Sequence, residues 1–185
     1  MAFHIASFFS FLLLFSLLFL FNFTSASSTL SVSQKQIKEI CGQTQNPNFC
    51  TTSLEDFLGD KKVDLNELGI VSILLATSQA RLNKYVVEQL VQTMVDLDSI
   101  SKIHLEKCQM DYDVTLQNLR DAFRLSHQKD YKDMVDFVNE ATMMTNECTM
   151  ECLQLQNPLS SWKEDNHKMM WLNDIALVIL GMLNE

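Results

Sequence analysis

Residues 105–152, LEKCQMDYDVTLQNLRDAFRLSHQKDYKDMVDFVNEATMMTNECTMEC, contain the pattern on which the fold turns. Apolar residues recur at three- and four-residue steps on both sides of a polar break at His127, Gln128 and Lys129. The stripe runs through Leu105, Cys108, Tyr112, Leu116, Leu119 and Phe123. It resumes after Asp130 with Met134, Phe137, Ala141, Met144, Cys148, Cys152 and Leu155. That period places one apolar face on each of two helices, and so short a connection makes them antiparallel neighbours. Cys108 and Cys148 each stand twenty residues from Gln128. In an antiparallel helical hairpin, equal distances from the turn bring two side chains to one height, as a disulfide requires. Cys152 lies one turn further on, roughly 6 Å off level at about 1.5 Å per residue. The spacing therefore predicts a Cys108–Cys148 bridge, a loop closure worth on the order of 4 kcal/mol in the chain-entropy model.

Working outward, the pattern stays helical. Ser33 and Gln36 have the spacing of a capping box and open a short helix toward Cys41. Residues 42–48 are turn chemistry, and Asn46-Pro47 restarts a helix that ends at Gly59. Cys41 and Cys50 flank this turn and pair locally by the same height argument. Of five cysteines, Cys152 is left as a buried free thiol, although an odd count also admits an intermolecular bond. Asp64 with Glu67 starts a long helix whose stripe is Leu68, Val71, Leu75, Leu82, Val86, Leu90 and Met94, with a gap at Gln79, reaching about Leu97. Asn157-Pro158 and Ser160-Ser161 interrupt the chain before a last pattern, Met169, Leu172, Ala176, Ile179 and Leu183. The expected fold is all-α: an up-down-up-down four-helix bundle (64–185), preceded by a short N-terminal α-helical hairpin (27–60), with two disulfides.

Composition separates the first residues from the rest. Eight of the 12 Phe fall within residues 1–23, and no Lys or Arg precedes Lys35. Residues 8–23 are almost wholly apolar and are followed by Thr24-Ser25-Ala26-Ser27-Ser28, with a cleavage site after Ala26 or Ser28. This pattern reads as a secretory signal peptide, residues 1–26. An uncleaved anchor is the competing view, but the run is short and lacks a basic flank. The Asn22-Phe23-Thr24 sequon would leave with it. The remaining domain, 27–185, keeps the whole net charge of −9 and all five cysteines, in a compartment where disulfides persist. Net negative charge argues against nucleic-acid binding, and no stable membrane association is expected once the leader is removed.

Catalytic signatures are missing. There is no G-x-S-x-G, H-E-x-x-H, G-x-G-x-x-G or P-loop pattern, and His104, His127 and His167 are scattered near helix or turn boundaries. Cys148 and Cys152 share a helix face but have no nearby histidine to complete a metal site, and Asp111-x-Asp113 lacks the Gly and Glu of a calcium loop. No cofactor or metal is expected. Met143-Met144 and Met169-Met170 cannot both face inward, which leaves some apolar surface for a protein partner.

The chain resembles the plant cell-wall and vacuolar invertase inhibitors and pectin methylesterase inhibitors, which share one domain. The resemblance rests on Ile40-Cys41, Asn46-Pro47 and Phe49-Cys50; on residues 105–112 with Cys108; on Asp130-Tyr131 and Cys148; and on the terminal stretch through Ile179-Leu180-Gly181-Met182-Leu183. It implies a hairpin leaning on a four-helix bundle, and a non-catalytic protein that occludes the active-site cleft of a secreted carbohydrate-active enzyme. Asp130-Tyr131-Lys132-Asp133 stands where invertase inhibitors carry Pro-Lys-Phe, and looks more like the Gly-Asp-Tyr of pectin methylesterase inhibitors, with Lys129 for Gly. Glu147, immediately before Cys148, points the other way, since it occurs there in invertase inhibitors. The candidate partner-binding residues are Asp130, Tyr131, Lys132, Asp133 and Glu147. The expected partner is a secreted pectin methylesterase in the apoplast; the alternatives are an acid invertase, in the wall or vacuole, and a non-inhibitory helical signalling or carrier protein. An acidic inhibitor suits a basic, wall-bound enzyme, and Asp130, Asp133 and Asp136 could supply part of that field, although acids at a helix N-terminus also serve stability.

Overall fold

The computed structural model describes residues 31–93, 99–155 and 160–185. The expected leader, its sequon and cleavage site, the end of the first long helix at Met94–Leu97, and the Asn157-Pro158 interruption lie outside the described residues. The described residues form helices without strands: α1 (Gln34–Cys41), α2 (Pro47–Leu58), α3 (Leu65–Thr93), α4 (Ser99–Ser126), α5 (Tyr131–Cys152) and α6 (Ser160–Leu183). None of these helices is long and apolar enough to cross a membrane.

Four of the helix starts follow from local signals. The Ser33 hydroxyl accepts from Gln36 N at 3.3 Å while Ser33 N donates to Gln36 Oε1 at 2.9 Å, closing the capping box. Asn46 Oδ1 accepts from Phe49 N, with Pro47 in the first turn where its missing N–H costs nothing. Asp64 and Glu67 cap α3 reciprocally at 2.7 and 2.9 Å, and Asp130 Oδ1 accepts from Asp133 N at the start of α5. The α2 exit uses Gly59 at φ 52°, a left-handed backbone that costs glycine least.

The helices α3, α4, α5 and α6 form the bundle. Each packs on its neighbours in sequence, and α3 closes the ring against α6. At one end of the α3–α6 contact, Gly69 lets the backbones approach, since a Cβ there would sit 3.3 Å from Leu183 Cδ1. The α1–α2 hairpin leans on α6. Its Cys41–Cys50 bridge spans a Cα–Cα distance of 5.4 Å, Gln45 N donates to Asp174 Oδ2 at 2.7 Å, and the Phe49 and Trp171 rings meet at 5.2 Å. Cys108 and Cys148 join α4 to α5 with Cα atoms 4.3 Å apart, and Cys152 is a buried free thiol.

The face of α3 differs from expectation. Leu82, placed on the stripe by periodicity, is 52% exposed, whereas Ile73, Ala76, Ala80, Asn83 and Val87 are fully buried. Leu75, Val86 and Leu90 are half-buried at the margin. Small alanines lie inward because they let neighbouring helices approach. Asn83 lies inward because its polar atoms are satisfied there. Asn83 Nδ2 donates to Tyr112 Oη at 2.8 Å and to Asp165 O at 3.1 Å, and Gln79 Nε2 donates to Asn83 Oδ1. Tyr112 Oη donates in turn to Asn166 Oδ1, and Asn166 Nδ2 reaches Thr145 O at 3.3 Å and Thr149 Oγ1. One buried polar network therefore links all four bundle helices and fixes their relative heights.

Candidate functional site

Helix α5 presents a continuous outward ridge. Asp133, Asp136, Glu140, Met143, Glu147 and Met150 are all exposed and follow one another at steps of three and four residues, so they share one face. None of the carboxylates of Asp133, Asp136, Glu140 and Glu147 is within ion-pair distance of a cation among the described residues. Met143 and Met150 are 57% and 51% exposed, interrupting the acidic line with flexible apolar contacts. Helix α4 also exposes Ile103, Met110 and Val114.

The residues singled out from sequence divide into two groups. Asp130 caps the helix and is half-buried, and the Tyr131 hydroxyl reaches Asn66 Oδ1 on α3 at 3.2 Å; both anchor the start of α5. Lys132 and Asp133 are exposed on the first turn. Glu147 lies about 21 Å further along the axis, yet four helical turns return it to the face of Asp133. Proximity to the turn therefore does not unite these residues; the ridge unites Asp133 with Glu147. It adds Glu140, Met143 and Met150, whose sequence signal was the same three-to-four spacing read on the polar side of the helix.

The border between α4 and α5 is held by charge. Glu151 accepts from Lys107 and lies 2.6 Å from His104 Nδ1. The Lys107 hydrogen bond, followed by that of His104, holds the Glu151 carboxyl below its usual range. Close by, burial pushes the Asp111 carboxyl up, and its Oδ2 has no partner among the described residues. Asp113, by contrast, turns to α3 and pairs with Lys84 at 2.6 Å. The other histidines meet rings edge-on: His127 with Phe123 and His167 with Trp171. The Cys152 thiol is pushed up to about 12, first by burial, so it is a poor nucleophile at neutral pH. The pocket beside Cys152 and Trp162 has a volume of only about 20 Å³, room for about one water, and an open groove of about 430 Å³ lies between the hairpin and the bundle near Phe49, Phe57 and Lys168.

These features define a class: a disulfide-braced helical bundle with a leaning hairpin, whose most distinctive chemistry lies on an exposed acidic surface. The sequence profile of the family described as plant invertase/pectin methylesterase inhibitor matches residues 35–179, and the chain belongs to that family. It is 28% identical over 158 residues to pectinesterase inhibitor 1 of Arabidopsis thaliana, covering 84% of this chain and 86% of that one. It is 26% identical over 147 residues to a pectinesterase inhibitor of Actinidia deliciosa, covering 80% and 78%. The crystal structure of a mutant form of a pectin methylesterase inhibitor from Arabidopsis shares the fold, with a TM-score of 0.72, 24% identity, and coverage of 80% of this chain and 96% of that one.

Proposed function

We propose that this chain is a secreted inhibitor of pectin methylesterase, forming a stoichiometric complex that occludes the enzyme's active-site cleft, and that it has no catalytic activity of its own. The acidic ridge of α5 carries the reading, in a chain whose relatives are named pectinesterase inhibitors. Carboxylates without internal partners can pair with a basic protein at little internal cost, and their summed field speeds encounter. Met143 and Met150 would supply apolar contact once water is expelled. In this reading Lys132, Asp133 and Glu147 touch the enzyme, while Asp130 and Tyr131 hold the helix that presents them. Residues 1–26 serve as the removed leader, which places the 27–185 domain in the apoplast.

A second reading, inhibition of an acid invertase, is favoured by Glu147 immediately before Cys148. Titrating the mature protein against both enzymes separates the two. The expected result is pectin demethylation that falls to a plateau at a fixed molar ratio, with inhibition weakening as salt is added. Unchanged demethylation at every ratio, with sucrose hydrolysis suppressed, would overturn the first reading in favour of the second.

A further inference from the structure

Three sulfurs meet between α4 and α5, and two of them are bonded. The Sγ atoms of Cys108, Cys148 and Cys152 all lie within 4.8 Å of one another, and all three residues are buried. Cys152 follows Cys148 by one turn of α5, so the offset along the helix axis is bridged by the side chains. Cys152 also borders a small void of about 20 Å³ lined with Leu90, Leu105 and Trp162.

We propose that Cys152 is a second partner for Cys108, so that the α4–α5 cross-link can move by one helical turn through thiol–disulfide exchange within the chain. Cys152 loses its proton, and the thiolate electron pair forms a bond to Cys108 Sγ. The Cys108–Cys148 bond breaks, its electron pair leaves on Cys148, and that sulfur takes up a proton. One disulfide is consumed and one is made, so no external oxidant or reductant enters. The sulfurs must close from within 4.8 Å to a bond of about 2.05 Å.

Burial sets the pace. With the Cys152 thiol pushed up to about 12, by burial first and then by Glu151 and Asp111, the attacking thiolate is scarce in neutral solution. Its fraction is about one in 10⁵ at pH 7 and rises about tenfold per pH unit below that value. The cross-link is therefore static in acid and mobile in base. Relocation frees the Cys148 thiol, next in sequence to Glu147 on the acidic ridge.

The test uses the secreted chain with its disulfides intact, held at about pH 8 and at about pH 9, quenched in acid, then unfolded at low pH with a maleimide that alkylates whichever thiol is free, and mapped without reduction. The expected result is alkylated Cys148 together with a Cys108–Cys152 peptide, forming about tenfold faster at the higher pH and absent in Cys152→Ser. In Cys148→Ser, Cys108 and Cys152 should be found bonded to each other. If that variant fails to fold, the wild-type map still decides. Alkylation confined to Cys152 with Cys108–Cys148 intact overturns the proposal, as does a folded Cys148→Ser chain in which Cys108 and Cys152 are both alkylated on denaturation.

Discussion

Replacing Tyr112 by Phe removes one oxygen from the centre of the bundle and leaves the ring in place, so no cavity adds to the cost. The side chain is fully buried, and its hydroxyl accepts from Asn83 Nδ2 at 2.8 Å and donates to Asn166 Oδ1. The loss is uneven across the network. Asn83 Nδ2 keeps Asp165 O at 3.1 Å, and Asn166 Nδ2 keeps Thr145 O and Thr149 Oγ1, but Asn166 Oδ1 is left without its donor. A net hydrogen bond contributes about 1 kcal/mol, and an orphaned buried acceptor costs about 1–3 kcal/mol, so Tyr112→Phe should lose about 2–4 kcal/mol. For a domain of this size that corresponds to a Tm lower by about 4–16 °C. Urea unfolding followed by circular dichroism, with disulfides intact, measures the first quantity, and calorimetry the second. Inhibition well below Tm should be unchanged, because Tyr112 does not reach the ridge. A loss under about 0.5 kcal/mol would show that the hydroxyl is not a working member of the network, and the argument that it sets the heights of four helices would fail with it.

Other consequences can be checked in parallel. Replacing Asp136, Glu140 and Glu147 together by Asn, Gln and Gln should slow association with the target about tenfold and flatten its salt dependence, with stability changed by under about 0.5 kcal/mol; stopped-flow binding at two ionic strengths reads this. Leu82→Ser should cost under about 0.5 kcal/mol because the side chain is exposed, whereas Ala80→Leu should cost about 1–3 kcal/mol by overpacking the α3 face, both measured by urea unfolding. Asn173 is fully buried with neither amide atom partnered among the described residues, so Asn173→Leu should stabilise by about 1 kcal/mol, and a loss of that size would reveal a bound water instead. Glu151 has its folded pKa lowered from 4.5, so its contribution is present above the unfolded value and is lost as pH falls through the folded one. The stability gap between wild type and Glu151→Gln should accordingly be open at neutral pH and close as pH falls below 4.5 in pH-dependent unfolding.

Much of the architecture is legible in the chain itself, because helix signals are local. Ser33 with Gln36, Asn46-Pro47, and Asp64 with Glu67 each satisfy backbone donors within three residues, and the structure uses them for that purpose. The Cys108–Cys148 bridge could also be read from sequence, since two straight helices and a short turn convert residue counts into heights. The site was less legible. Asp130 and Tyr131 stand out as a motif, yet their side chains serve the helix start, while Glu140 and Met150 carry no motif and belong to the ridge only by helical phase.

Sequence alone therefore determined the helices, their order, the two bridges and the acidic character of the chain, because each depends on spacing along one segment or across one turn. Tertiary structure decided which way α3 faces and which sulfur lies within reach of which. Hydrophobic periodicity favours Leu82 for the interior. The bundle instead encloses Ala80 and Asn83, because the room left by neighbouring helices and the hydroxyl offered by Tyr112 exist only after packing. By the same rule, Cys152 is about one turn off level as backbone, yet its sulfur lies within 4.8 Å of both bonded partners, a proximity set by side-chain direction in the assembled core.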